Sequence, residues 1–174
     1  MPCPQVELEG KWYQQKFFNV MIYLISWGEK ESESVAAIAE QKEYQIGEEI
    51  IESGQPADTF YFLAEDTVEY TYVLTIENDP YYKKEYHINA INPGEIFGIS
   101  ALIEPYQYIA TLQVYKQSNV IEIVASDLRS FCDADPKMAN GWMQAVAKVA
   151  IERLQATRIQ LIAERVKFTL IDQN

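Results

Sequence analysis

Short apolar runs separated by turn residues fill the chain between about residues 43 and 124. The runs are rich in Tyr, Val, Ile, Thr and Phe, and they recur roughly every eight to twelve positions, which is the spacing of strands in antiparallel β proteins. The pattern therefore predicts an antiparallel sandwich or barrel. The clearest runs are residues 59–63, 68–76, 85–91, 108–114 and 119–124.

A helical region is predicted before the strands, over residues 5–27, and it ends at Gly28 and a polar run over residues 29–34. A short helix over residues 34–39 follows. Within the first region, the apolar segment 17–27 is only 11 residues long, whereas a helix needs about 20 residues to cross a bilayer. We expect this segment to be a buried helix, with a membrane anchor or a partner-docking surface as the alternative. The N-terminus carries no pattern of a secretory signal.

The pattern changes from strand to helix at Ser126. Ser126-Asp127 is expected to cap one helix just before Leu128, because short polar side chains accept hydrogen bonds from the first free N–H groups. Asp135-Pro136 is expected to open a second and much longer helix, since proline is favoured at the first helical position.

Apolar residues recur every seven positions along this long helix, at Ala147, Leu154, Leu161 and Phe168. A seven-residue apolar repeat favours a helix–helix seam. The seam packs either against the strands of the same chain or against a second subunit. We favour the second arrangement, a homodimer through the C-terminal helix.

These patterns divide the chain into three segments. We expect an N-terminal helical extension over residues 1–34, a β-barrel unit over residues 35–134 and a long dimerisation helix over residues 135–174. A chain of 174 residues is long enough to bury a core as one domain with an added element.

The charge balance and the cysteine count narrow the function classes. The formal net charge of −12 opposes binding to the phosphates of DNA or RNA. Cys3 and Cys132 give neither a disulfide framework nor a metal-ligand spacing. We therefore expect a cytoplasmic protein with no membrane span and no direct contact with nucleic acid.

Few features of the sequence indicate a catalytic site. The single histidine, His87, lies in an alternating, strand-like stretch, where a histidine is most often structural. A metalloenzyme of this fold class would need two or three histidine ligands, and no Ser/His/Asp or Cys/His arrangement can be assembled. We expect neither enzymatic activity nor a metal or other cofactor.

The segment from Pro93 to Thr111 points to binding instead. It predicts a glycine turn at Gly98, a short helix and a return to strand. Backbone N–H groups beside such a glycine can approach an anion closely, a geometry that suits a cyclic phosphate. However, no side chain between Gly98 and Thr111 carries a positive charge.

Three motifs together resemble the cyclic nucleotide-binding domain family, the module of the catabolite activator protein and of cyclic-nucleotide-dependent kinase regulators. The resemblance covers roughly residues 38–164. It implies an α+β fold: an antiparallel β jelly-roll (double-stranded β-helix) barrel flanked by N-terminal helices and a long C-terminal helix. The motifs are the run Gly47 to Tyr61 (GEEIIESGQPADTFY), the approach Pro93 to Gly98 (PGEIFG), and Ala101-Leu102 with Ala110-Thr111.

The chain departs from the family at two charged positions of the phosphate-binding cassette. The resemblance places Ile99 where the family has a glutamate that binds the ribose 2′-hydroxyl, and Tyr108 where it has an arginine that pairs with the phosphate. Tyrosine cannot replace a charge-assisted arginine contact worth a few kcal/mol. Loss of both contacts should weaken cyclic nucleotide binding by several orders of magnitude, at about tenfold per 1.4 kcal/mol.

The resemblance also implies which residues of this degenerate cassette would contact a ligand. In the family the long helix supplies a hydroxyl to the base, and Thr157 stands at that position. The candidate ligand-binding residues are Gly98, Ile99, Ser100, Ala101, Tyr108, Ile109 and Thr157.

Two functions follow from this comparison. In the first, the chain is a regulatory sensor domain with altered or lost cAMP and cGMP binding that takes a small-molecule ligand and signals through its C-terminal helix. In the second, it is a ligand-free dimeric scaffold or partner-docking protein, with segment 17–27 as an added interface. Transcription factors of the family continue into a helix-turn-helix domain, whereas this sequence ends at Asn174, so we expect no DNA binding.

Overall fold

Two antiparallel four-stranded sheets form the centre of the computed structural model, which describes residues 29–65, 68–76 and 79–171. The helices are α1 (Glu29–Ala36), α2 (Ala125–Ala134) and α3 (Pro136–Ile171), and a short 3-10 helix spans Ile99–Leu102. The strands are β1 (Ala39–Tyr44), β2 (Glu49–Ile51), β3 (Thr59–Glu65), β4 (Val68–Ile76), β5 (Asp79–Ile91), β6 (Ile96–Phe97), β7 (Thr111–Val114) and β8 (Ser118–Val124).

The strands pair in the order β1-β8-β3-β6 in one sheet and β2-β7-β4-β5 in the other. Apolar side chains from both sheets join one buried core, with Phe62 and Ile123 from the first and Ile51 and Leu112 from the second. The expected α+β fold, with antiparallel sheets and a long C-terminal helix, is confirmed. Its barrel consists of two separate sheets that do not close into one.

Strand β3 is buried almost along its whole length, and for this reason it lacks the alternation of a half-exposed strand. Its neighbours in the sheet are β8 and β6. The Phe60 ring meets the edge of the Trp142 ring, with centroids 4.9 Å apart. Because Trp142 lies near the start of α3, this contact fixes the long helix against the sheet.

The region before the sheets differs from the sequence expectation. The polar run at residues 29–34 is helical, as part of α1, and the predicted helix over 34–39 ends at Ala36. Glu and Lys are good helix formers, and Val35 anchors α1 because it is fully buried. Ala39 instead begins β1, a polar strand at the edge of its sheet. Charged residues are common on edge strands because they discourage pairing between molecules.

Two further boundaries need correction. Helix α2 begins at Ala125 rather than after a Ser126-Asp127 cap, because the Ala125 N–H donates to the Asp58 carbonyl at 2.8 Å and the start is thus set by a tertiary contact. The predicted strand over 108–114 begins only at Thr111. Tyr108 pairs instead with the loop at Gln55, to which its N–H donates at 2.9 Å.

The expected start of the long helix at Asp135-Pro136 is confirmed. The Asp135 carboxylate accepts a hydrogen bond from the Lys137 N–H at 2.8 Å and so caps the helix. In the described part of the chain, no helix is both long enough and apolar enough to cross a membrane. The helical region over 5–27 and its apolar segment 17–27 lie outside the described residues, and the three-segment division remains a prediction.

Candidate functional site

A left-handed glycine opens the short 3-10 helix. Gly98 has φ 66° and caps Ile99–Leu102, and its carbonyl accepts from the Ala101 N–H at 2.9 Å. A Cβ atom at this position would lie 2.7 Å from the Tyr61 ring. That ring stacks on Phe97 with centroids 4.9 Å apart. Only glycine therefore fits between the 3-10 helix and strand β3.

Tyr108 is tied to the start of strand β3 by two hydrogen bonds. Its hydroxyl donates to the Thr59 carbonyl at 2.6 Å and accepts from the Thr59 N–H at 3.2 Å. Burial raises the pKa of the Tyr108 phenol above its ordinary value. The side chain is therefore a neutral, fixed wall of the site, in the place where the resemblance puts an arginine.

A cavity of about 210 Å³ lies between the 3-10 helix, strand β7 and the long helix. Its walls are mostly apolar, and one charged side chain, that of Arg153, is among them. The lining residues are Ile51, Gly98, Ile99, Ser100, Tyr108, Ile109, Ala110, Leu112, Ala150 and Arg153.

Arg153 was missed by the sequence reasoning, although it changes the electrostatics of the site. Its side chain reaches from α3 to strand β6 and donates to the Ile96 carbonyl at 3.0 Å. The signal was present in the sequence, because Arg153 stands four positions before Thr157 and residues at that spacing share a helix face. The site thus obtains from the long helix the positive charge that the cassette segment lacks.

The cavity brings together most of the predicted ligand-binding residues. Gly98, Ile99, Ser100, Tyr108 and Ile109 line it. Whether they contact a ligand remains a prediction.

Two predicted residues lie elsewhere. Ala101 is fully buried in the core behind the 3-10 helix. Thr157 is exposed and is not among the residues that line the cavity, and its hydroxyl donates to the Arg153 carbonyl at 2.9 Å. On this geometry Arg153, one turn earlier, is the residue by which α3 reaches the cavity.

A second arginine holds the end of the 3-10 helix. Arg129 of α2 donates to the Ala101 carbonyl at 2.7 Å, and its guanidinium lies 4.5 Å from the centre of the Tyr106 ring. The cassette is therefore fixed at Gly98 by steric fit and at Ala101 by a charge-assisted hydrogen bond.

The arrangement of the cavity is suited to binding a small ligand. Within the described ranges, no three His, Cys, Asp or Glu side chains come close enough to hold a metal ion. An apolar cavity with one guanidinium can enclose an apolar group and orient a negatively charged one, since few polar groups set orientation in most ligand pockets.

Comparisons with known proteins agree with this geometry. The family model described as "Cyclic nucleotide-binding domain" matches residues 41–135. A candidate cyclic nucleotide-binding protein from Geobacter metallireducens GS-15 is 27% identical with TM-score 0.62, over 74% of this chain and 89% of that chain. No curated protein sequence matches the chain.

Two more distant solved structures share the fold. A cyclic nucleotide-binding domain from Methylobacillus flagellatus KT has 12% identity and TM-score 0.72, over 89% of this chain and 85% of that chain. The regulatory domain of Toxoplasma gondii PKA, solved with cAMP, has 16% identity and TM-score 0.65, over 82% of this chain and 51% of that chain.

Proposed function

Because the chain belongs to the cyclic nucleotide-binding domain family, we propose that it is a regulatory sensor domain whose ligand is no longer cAMP or cGMP. Proteins of this family are typically regulators rather than enzymes. One relative of this fold was solved with cAMP, so the fold itself can hold a cyclic nucleotide. The altered cassette of this chain argues for a different ligand.

The observation that carries the proposal is the environment of Tyr108. Its hydroxyl is held by both backbone groups of Thr59, so the side chain cannot turn to a phosphate without losing two hydrogen bonds. Ile99 beside it offers no acceptor to a ribose hydroxyl. Each missing charged contact is worth about 1.5–3 kcal/mol, which supports very weak cyclic nucleotide binding.

The long helix is the proposed output of the sensor. Ala150 and Arg153 of α3 line the cavity, and the same helix continues to Ile171. A ligand that changes the contact between Arg153 and strand β6 would thus move or fix the helix. This assigns the sensing role to residues 35–134, signalling and dimerisation to 135–174, and leaves 1–34 as an extension.

A dimeric scaffold without a ligand is the second candidate. Two observations favour it. The cavity of about 210 Å³ is below the roughly 300 Å³ of most ligand pockets, and α3 exposes Ile151, Leu154, Leu161 and Ile162.

Titration calorimetry with cAMP and cGMP tests the main proposal. We expect no binding at micromolar ligand, together with a thermal shift from at least one compound in a panel of small metabolites. Tight binding of either cyclic nucleotide would contradict the proposal that the ligand is no longer cAMP or cGMP. If no compound of the panel shifts the melting temperature, the ligand-free scaffold is favoured.

The variant Ile99→Glu with Tyr108→Arg tests whether the cassette backbone is still competent. If it is, restoring both charged groups should raise cAMP affinity at least tenfold over the unaltered protein. The uncharged variant Ile99→Gln with Tyr108→Gln is the matched control and should gain nothing. Equal, negligible binding by both variants would mean that the site is closed for other reasons.

A further inference from the structure

We infer that the cavity beside Gly98 binds a small, neutral and largely apolar molecule of about one ring in size, and that the Ser100 hydroxyl contacts its single polar group. This inference rests on the proposed function, because it names the class of ligand that replaces the cyclic nucleotide. The observation that carries it is that the charged side chain and the phenol of the cavity wall already have partners within the protein.

The walls of the cavity set the body of the ligand. Four branched aliphatic side chains and the buried Tyr108 ring line a volume of about 210 Å³. A dry cavity of about 150 Å³ with aliphatic and aromatic walls is large enough to take up benzene. The space therefore suits one ring with a short substituent. The four aliphatic residues are Ile51, Ile99, Ile109 and Leu112.

Arg153 disfavours either sign of charge on the ligand. Its guanidinium donates to the Ile96 carbonyl at 3.0 Å, and Arg153 has a further interaction within the protein. An anionic ligand would compete with these contacts for the guanidinium, whereas a cationic ligand would be repelled by it. Since an ion in apolar surroundings is stable only when it is paired, the cavity favours a neutral ligand.

Ser100 provides the polar contact of the site. The Tyr108 hydroxyl is held by both backbone groups of Thr59, so it acts as a wall and not as a recognition group. Ser100 is half-buried and lines the cavity, and a serine hydroxyl can rotate to donate or to accept a hydrogen bond. One alcohol, carbonyl or N–H group of the ligand can therefore be matched at this point.

A ligand can enter the cavity without opening the core. Ile109 and Ala150 line the cavity and are exposed, so the cavity is open to solvent between the segment before β7 and helix α3. A bound molecule would contact α3 at Ala150. This is the element that we propose as the output of the sensor.

Three compounds with the same ring separate the effect of charge from that of shape. At about pH 7, benzyl alcohol is neutral, benzoate is negative and benzylamine is positive. In an amide NMR titration of the full chain, in a buffer without carboxylates, benzyl alcohol should cause saturable shifts centred on residues 98–100, 108–112 and 150–153. Benzoate and benzylamine should bind at least tenfold more weakly, because each must leave water as an ion.

Ser100→Ala tests the polar contact. It should weaken benzyl alcohol about three- to tenfold, which is the effect of one neutral hydrogen bond. Binding of toluene should be unchanged, because toluene has no hydroxyl group. Ser130→Ala is the matched control, since it removes the same hydroxyl from an exposed position of α2, and it should bind both compounds as the unaltered protein does.

A second pair of variants keeps the test independent of Ser100. Ala150→Phe adds a ring at the cavity wall from an exposed helix position, and it should abolish binding of benzyl alcohol and toluene. Ala147→Phe adds the same ring at an exposed position outside the lining and should leave their binding unchanged.

The inference is overturned if neither benzyl alcohol nor toluene binds, or if benzoate binds as tightly as benzyl alcohol. It is also overturned if Ser100→Ala or Ala150→Phe binds benzyl alcohol as the unaltered protein does. A cAMP titration on the same samples separates this failure from failure of the proposed function. If neither the neutral compounds nor cAMP binds, only the ligand class is rejected, whereas tight cAMP binding rejects the proposed function itself.

Discussion

Gly98 and Tyr108 position the cassette by different physical means. Gly98 allows the chain to pass against the Tyr61 ring in a left-handed conformation. Tyr108 is a buried phenol bound to the Thr59 backbone. The first residue sets the path of the backbone, and the second gives the site a fixed, uncharged wall.

Replacing Gly98 with alanine should destabilise the protein by about 2–4 kcal/mol, because strain at positive φ adds to a close contact with the Tyr61 ring. Urea unfolding followed by circular dichroism measures the loss. Gly94→Ala is the matched control, since Gly94 also has positive φ but its Cβ would meet nothing within 4 Å. Its cost should be only about 1–2 kcal/mol. Equal losses would mean that the Tyr61 contact contributes nothing.

Three buried tyrosines should make the protein sensitive to alkali. Burial raises the pKa of Tyr61 and Tyr44 well above the ordinary 10.0, with the Glu122 carboxylate adding to the effect at Tyr44, and burial also raises the pKa of Tyr108. The unfolded chain then loses these protons at a lower pH than the folded chain. Their contribution to stability is complete below about pH 10 and is lost above it, by up to about 1.4 kcal/mol per pH unit for each group.

Urea unfolding between about pH 8 and pH 11 checks this slope. Tyr61→Phe keeps the stacked ring and removes one titrating hydroxyl, so its slope above about pH 10 should be shallower by up to about 1.4 kcal/mol per pH unit. A free energy of unfolding that stayed constant up to about pH 11 would show that these phenols are not protected from solvent.

At the scale of elements, the 3-10 helix depends on helix α2. Ile99–Leu102 has one short turn of its own, and the Arg129 contact with the Ala101 carbonyl ties it to a longer element. A helix of this length is unstable in isolation. The order of the cassette therefore comes from tertiary contacts and not from its own sequence.

Arg129→Gln should loosen the cassette while leaving the sheets intact. We expect faster amide hydrogen exchange over residues 99–107 and a loss of about 1–2 kcal/mol in global stability, since a charge-assisted hydrogen bond and a cation–π contact disappear. Exchange measured by mass spectrometry resolves the two effects. Arg158→Gln, at an exposed position of α3, is the control and should leave the exchange over 99–107 unchanged. If Arg129→Gln also accelerates amide exchange in strand β3 to the same extent, Arg129 does not act specifically on the cassette.

Elements that bury apolar residues were predictable from the sequence, whereas those fixed by distant contacts were not. The strands β4 and β8 and the start of α3 follow from apolar patterns and from Asp135-Pro136. Strand β1 escaped prediction because its exposed polar residues carry no alternation. The start of α2 was predicted wrongly because the backbone carbonyl of Asp58, in a distant segment, fixes it.

The functional site was predictable only in part for the same reason, namely that contacts between distant segments leave little local signal in the sequence. Gly98 and its short helix could be located from the order of residues alone, because a glycine turn is a local feature. The charge of the cavity had a weaker signal, the four-residue spacing of Arg153 from Thr157, since Arg153 lies on a helix that begins beyond both sheets. Pairing Gly98 with Arg153 requires the crossing of α3 over the cassette, which tertiary contacts such as the packing of Trp142 on Phe60 fix.

For the whole molecule, charge is unevenly distributed. Helix α3 carries six of the 14 basic residues and only two of the 26 acidic ones, so the rest of the chain is strongly acidic. Two parallel copies of α3 would repel each other electrostatically. Self-association through this helix would therefore depend on apolar burial and should strengthen when salt screens the charges.

Four of the exposed apolar residues of α3 form one stripe. At 100° per residue, Ile151, Leu154, Leu161 and Ile162 lie within about a quarter of the helix circumference, on the side away from Trp142. Each is at least half exposed. A stripe of this kind is rarely left in water on a stable monomer, which supports the proposed homodimer.

Leu154→Glu with Leu161→Glu should convert a dimer into a monomer, because four like charges would meet in the apolar seam of a pair. Sedimentation analysis should give about twice the chain mass of 20.1 kDa for the unaltered protein, with tighter association at high salt, and the single chain mass for the variant. Gln160→Glu with Ala163→Glu adds the same charges on the opposite side of the helix and should remain dimeric. If the unaltered protein is monomeric at high concentration, the prediction of a homodimer is wrong. If both variants lose the dimer, general charge repulsion explains the loss and not a specific apolar seam.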